Sequence, residues 1–384
     1  MGLSFEADRL SGKDIGAYIK KHGGLRGVAE PCIYIPDIEE NGYAYFEEDS
    51  TDTHKIKTGI PLGVNKNNYT HLPNSIFAFV NEDSTNAIAT EIQRTPIIGI
   101  YMGSIADIDY NANLMIGTLF EQDNFPLSKF KRKKIYISDD GVLTISSKDS
   151  YLGYKEERLL SYMVSEAALR FLVLHEIGHH VRGHISELAK EKKFVLLKAT
   201  DKVDGRLEME ADAFAAEKLA EEFDLILSEL IKHQTDLEVS DFRELEVLAL
   251  STIVTAITIP FSILYQPDSS RIKEISESDI VVREISAVMI LSAELFNNEK
   301  CKRAVIYDLC NQGQDDTHGF TEKIDIKHIN KSHSIGLVDF IVYISEIFIS
   351  SKRLYYQVNR IGDIDTYLEH YLDEIAQLIK GGHN

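Results

Sequence analysis

Between Glu156 and about Lys192 the chain runs without proline and sets Leu159, Leu160, Met163, Ala167 and Leu174 at helical spacing. The spacing predicts one long helix carrying His175-Glu176-Ile177-Gly178-His179. Residues four apart on a helix differ by about 40° in azimuth and by one turn in height, so the two imidazoles can aim at one point. That arrangement suits a zinc ion, with the Glu176 carboxylate beside the first ligand as general base for water rather than as a ligand. Phe171-Leu172-Val173-Leu174 make the approach apolar, as a buried helix showing ligands on one side requires. Gly178 is expected to keep one position beside the metal free of a side chain.

A second helix is predicted from Arg206 to about Phe223, and it holds Glu208 and Asp212 four residues apart. One carboxylate can complete a set of three protein ligands while the other hydrogen-bonds a ligand histidine. Three ligands leave a position open for water, which is the mark of a catalytic rather than a structural zinc site. The longer pattern HExxHxxGxxH would need glycine at position 182 and histidine at 185, where this chain has Arg182 and Ile185. His184 stands about 180° round a continuing helix from His175 and is read as facing away from the metal; His180 also points aside.

These motifs resemble those of the gluzincin metallopeptidases, in which HExxH is followed on a later helix by a glutamate ligand. His175-Glu176-Ile177-Gly178-His179 followed by Glu208-Met209-Glu210-Ala211-Asp212-Ala213 is similar to the HtpX-like, ImmA/IrrE-like and phage-exclusion Lit-type proteases. The resemblance implies that Glu208, not Glu210, is the third zinc ligand and that Asp212 supports a ligand histidine. Asn86-Ala87-Ile88-Ala89 also resembles the Asn-Ala-Phe-Ala strand of HtpX-like proteins, with Ile88 in place of phenylalanine. In such a fold an edge strand near the zinc aligns the substrate, so Asn86, Ala87 and Ala89 are expected to contact it. The likeness spans roughly residues 76 to 225. It implies an endopeptidase with one catalytic zinc, cleaving specific intracellular protein targets in a regulatory, stress or phage-defence role. A downstream donor for the oxyanion would be His233, Arg243 or Tyr265.

The expected fold class is therefore α+β: a zincin-like core of a small mixed sheet and active-site helices, with a largely helical C-terminal region. Three segments are expected, an N-terminal β-containing extension (1–75), a metallopeptidase domain (76–265) and a helical subdomain (266–384). Cys32 to Ile35, between Pro31 and Pro36, reads as the one convincing strand of the extension, and 75–105 reads as two or three strands of one sheet. A further strand is expected at Ile135-Tyr136-Ile137, after a solvated basic loop at Lys129, Lys131, Arg132, Lys133 and Lys134. Apolar helical stretches follow at 245–265, 281–296, 335–349 and 364–379.

Charge and composition narrow the partners. Against 61 Asp and Glu stand 41 Lys and Arg, a net charge of -20 that repels phosphate backbones, so a protein substrate is expected and nucleic acid is not. Cys32, Cys301 and Cys310 are too few and too scattered for a disulfide framework, and the first residues lack the basic and apolar regions of a signal peptide. Both features point to the cytoplasm. Val247 to Tyr265 is 19 residues without a charge, nearly a bilayer span. Its serines, threonines and Pro260, with acidic flanks, favour a buried core helix over a membrane-associated HtpX-like arrangement. A non-catalytic scaffold on the same fold is the other alternative, and the presence of Glu176 weakens it.

Overall fold

The computed structural model describes residues 33–34, 43–48, 56–61, 76–80, 82–92, 95–121, 132, 134–137, 143–146, 155–190, 196–198, 205–234, 237, 239, 241–264, 277–312, 335–361, 368 and 371–372. Cys32, the basic residues Lys129, Lys131 and Lys133, Tyr265 and most of the helix expected at 364–379 lie outside these.

β-Branched and aromatic runs form β4 (Ile76–Val80), β5 (Ala87–Ile92) and β6 (Thr95–Tyr101), the centre of a five-stranded sheet. With β1 (Ile33–Tyr34) and β9 (Leu196–Lys198) the order is β1-β4-β6-β5-β9. The sheet is mixed, because β4 and β6 run parallel while the other neighbours are antiparallel. Ile97, Ile98 and Ile100 of β6 are buried. Two separate pairs, β2 (Tyr43–Glu48) with β3 (Ile56–Pro61) and β7 (Lys134–Ile137) with β8 (Leu143–Ser146), complete the described strands. The sequence reading of the first 75 residues missed β2 and β3, whose Tyr, Lys, Glu and Gly content gives a weak apolar pattern.

The β pattern expected to reach residue 105 stops at Tyr101, where the chain turns straight into α1 (Met102–Glu121). Met102, Ile105, Ala106, Ala112, Met115 and Ile116 are its buried face, at helical spacing. The long helix expected from 156 is α2 (Lys155–Val181), and α3 (His184–Lys190) follows after a break at Gly183. Next come α4 (Gly205–Ala220), α5 (Phe223–Lys232), α6 (Phe242–Leu264), α7 (Glu277–Phe296), α8 (Glu299–Gln312) and α9 (Leu337–Asn359). The fold is α+β, and beyond β9 every described element is a helix.

One hydrophobic core cluster takes residues from β5, β6, α1, α2 and each helix from α4 to α9. Within it α2 packs against α1, α4 and α6, and α4 packs against α7. α6 is long and apolar enough to cross a membrane, yet 72% of its most apolar window is buried against the rest of the protein.

Candidate metal centre

α2 enters the core with Phe171, Leu172, Val173 and Leu174 all buried, so the turn after them carries its polar groups into a nearly dry interior. His175, Glu176 and His179 are each at most 3% exposed. Polar groups buried this deeply require partners or a ligand. Gly178 sets the depth at which the next helix packs. A Cβ there would lie 3.0 Å from Ala211 Cα and 3.1 Å from Ala211 O, so the missing side chain admits the backbone of α4. This corrects the expectation that Gly178 clears space beside the metal: the space is filled by α4, and the close approach delivers Glu208 and Asp212.

His175 Nε2 and His179 Nε2 are 3.1 Å apart. Glu208 Oε2 is 3.3 Å from the first and Oε1 is 3.6 Å from the second. These three residues could hold a metal ion, their candidate ligand atoms all lying within 4.8 Å of one another. Asp212 Oδ1 is 2.8 Å from His175 Nδ1, on the opposite side of that ring from the cluster. Burial would keep His175 neutral, but the Asp212 and Glu208 carboxylates outweigh it and push the ring up to about 10. His179 goes the other way, burial pulling it down to about 3.

Glu176 is fully buried, and neither of its oxygens has a hydrogen-bond partner among the described residues. Burial pushes its carboxyl up to about 8 against the pull of His175. Burial acts the same way on Asp212 and Glu208, yet both are held low, chiefly by Arg283 and then by His175 or His179; Asp212 comes down to about 2. Arg283, from α7, reaches Asp212 Oδ2 through Nε at 2.7 Å. One terminal nitrogen lies 3.1 Å from both Asp212 Oδ1 and Glu208 Oε2.

His184 corrects the sequence reading. It is buried, with Nδ1 2.9 Å from His179 Nδ1 and Nε2 3.0 Å from Glu210 Oε2. The prediction that it faces away assumed an unbroken helix. α2 instead ends at Val181, Gly183 takes the left-handed conformation (φ 77°) that glycine reaches without strain, and the new helix brings His184 back over His179. Glu210 is thereby engaged by His184 and Arg206, apart from the His175, His179 and Glu208 atoms.

The strand residues are also placed differently from expectation. β5 is not an edge strand, because β9 pairs with it at Ile88, Ala89 and Thr90 while β6 holds its other side. Ala87 and Ala89 are fully buried. Asn86 ties the start of β5 to α1: its main chain exchanges hydrogen bonds with Ser104 Oγ, and its side-chain oxygen accepts from Ala87 N. His180 Nε2 bonds to Ile97 O of β6 at 3.2 Å, anchoring α2 on the sheet. Of the candidate oxyanion donors, His233 caps α5, and Arg243 is exposed, bonding to Asp241 and stacking over Tyr307.

Two residues of the site went unread in the sequence. Gly183 as a helix stop was the signal for His184. For Arg283 the signal was a charged pair, Arg283-Glu284, inside the apolar run from Ile280 to Ile285, since charges buried on an apolar face need partners.

Residues 147–278, about a third of the chain, match the family described as Peptidase U49. The match covers α2 to α6 and supports a peptidase family for this chain. No curated protein and no solved structure matches it.

Proposed function

We propose that the chain is a zinc-dependent endopeptidase of the cell interior, cleaving one or a few protein targets. The observation that carries this function is the convergence of His175 Nε2, His179 Nε2 and the Glu208 carboxylate next to the buried, unpartnered carboxylate of Glu176. Donors sharing a tetrahedral zinc at about 2.0–2.1 Å stand about 3.3 Å apart. The two Nε2 atoms are 3.1 Å apart, and the Glu208 carboxylate approaches each of them through a different oxygen, at 3.3 and 3.6 Å, with one donor atom per residue lying within 4.8 Å of the others.

His175, His179 and Glu208 would hold the ion. When bound, zinc supplies Lewis acidity that acidifies water and polarises a peptide carbonyl. Beside the three candidate ligands, Glu176 would take the water's proton and pass it to the leaving amine. Asp212 accepts a hydrogen bond from His175 Nδ1, so that with an ion bound the ring would offer its Nε2 to it.

A cytoplasmic setting is part of the proposal, supported by the net charge of -20 and by the burial of α6, which favours a core helix over a span. A regulatory role in stress or phage response is proposed on the family resemblance. The test is metal analysis of the purified protein, combined with mapping of new protein N-termini in cells expressing wild type or Glu176→Gln. One zinc per chain and new termini with wild type alone are expected. Absent zinc, or identical termini with both forms, would overturn the function; broad cleavage of unfolded casein would overturn its selectivity.

A further inference from the structure

We infer that Arg283 is a positioning residue of the metal centre, so that the C-terminal helices, beyond the matched peptidase segment, complete the site. The inference rests on the zinc function proposed above. Glu208 and Asp212 lie one turn apart on α4, both buried, and as like charges they repel each other. Arg283 is buried between them. Its Nε donates to Asp212 Oδ2 at 2.7 Å, while a terminal nitrogen reaches Asp212 Oδ1 and Glu208 Oε2, each at 3.1 Å.

Each contact has a consequence for the cluster. Held through both oxygens, Asp212 keeps Oδ1 aimed at His175 Nδ1, which sets the tautomer and rotation of that ring. Toward Glu208 the contact is an ion pair: the guanidinium 3.1 Å from Oε2 offsets the carboxylate's charge, while Oε1 lies 3.6 Å from His179 Nε2. A planar guanidinium can serve two carboxylates in fixed directions, whereas an ammonium group is a point charge without that fork. Arg283 is itself fixed from behind. The next residue, Glu284, is fully buried and paired with Lys352 of α9, so α7 is tied on one side to α4 and on the other to α9. A guanidinium has no lone pair to give a metal, so Arg283 acts through Glu208 and Asp212.

The test uses the full chain as wild type, Arg283→Met and Arg283→Lys. Zinc affinity is measured by competition with a chromophoric chelator, and cobalt(II) absorption reports the geometry at the metal. Loss of a supporting hydrogen bond around a metal costs about 10- to 100-fold in affinity. Arg283→Met should show a loss of that size with displaced cobalt bands. Arg283→Lys, which keeps the charge without the fork, should fold, bind several-fold more weakly and show the same band displacement. If the Met variant does not fold, the Lys variant decides. Wild-type affinity and bands in the folded variants would overturn the inference while leaving the zinc function intact. A wild-type chain that binds no zinc would overturn both.

Discussion

His184 Nδ1 lies 2.9 Å from His179 Nδ1, and this contact couples the proton positions of the two rings. On its far side, His184 Nε2 sits 3.0 Å from Glu210 Oε2, and an ionised carboxylate can only accept. That contact puts a hydrogen on His184 Nε2, and with a single hydrogen on the ring its Nδ1 accepts and His179 Nδ1 donates. His179 then presents a bare Nε2 to His175 and Glu208, the form a metal ligand needs. Replacing His184 by Phe should leave the fold intact but reduce zinc affinity by about 10- to 100-fold. His184→Gln, which can still accept, should recover part of the loss. Chelator competition on both variants checks this, and equal affinity in Phe and wild type would rule it out.

Glu176 separates chemistry from binding. Glu176→Gln should bind zinc as wild type does while peptide hydrolysis falls by about 10²- to 10⁴-fold, the usual scale for losing a general base. The metal-free proteins should also differ with pH. Burial raises the folded Glu176 from an ordinary 4.5 to about 8. Its contribution is thus fully present below the unfolded value and is lost as pH rises through the folded one. Thermal melts of the metal-free forms should therefore show Glu176→Gln gaining on wild type between about pH 5 and 8. A constant difference across that range would contradict the burial of an unpartnered carboxylate.

Gly178 tests whether the packing of two helices sets the metal site. Alanine is favoured over glycine inside a helix by about 1 kcal/mol. Against that, its Cβ would meet Ala211 Cα at 3.0 Å, Ala211 O at 3.1 Å and Phe214 Cβ at 3.3 Å, and two of these are backbone atoms that can yield only by moving α4. Overpacking of this kind costs about 1–3 kcal/mol. The two effects oppose, so Gly178→Ala should move the melting midpoint little. Zinc affinity should fall clearly, because Glu208 and Asp212 ride on α4. Gly178→Val should lose both. Unchanged affinity in the alanine variant would mean that α4 can shift without carrying its carboxylates out of register.

What the sequence made legible follows from how local each signal is. His175, Glu176 and His179 share one helix face, so spacing alone brings them together, and Glu208 and Asp212 share another. Arg283 and His184 depend on geometry between elements. Arg283 sits 71 residues from Asp212 in the chain, and no local period links them. His184 depends on one glycine that stops a helix, and extrapolating the 3.6-residue period across it put the ring on the wrong side. β5 has the same lesson in the sheet: its own residues announce a strand, but its edge is covered by three residues more than a hundred positions later. α1 was missed because the strand before it runs into it with no turn residues between Tyr101 and Met102.

The pair behind the site should matter for stability more than for metal. Glu284 and Lys352 are almost wholly buried and ion-paired, joining α7 to α9. Removing one member leaves an uncompensated charge in the interior, which costs about 3–5 kcal/mol, whereas replacing both by neutral groups of similar size is often nearly neutral. Lys352→Met should therefore destabilise the chain by that amount, and Glu284→Gln with Lys352→Met should restore most of it. Urea unfolding of the single and double variants measures the difference. Because Arg283 is adjacent, a second quantity discriminates between a general and a directed effect. If α7 merely adds bulk to the core, the double variant should keep both stability and zinc affinity. If the pair steadies the Arg283 fork, the double variant should regain stability yet hold zinc more weakly than wild type, and that is the expected result.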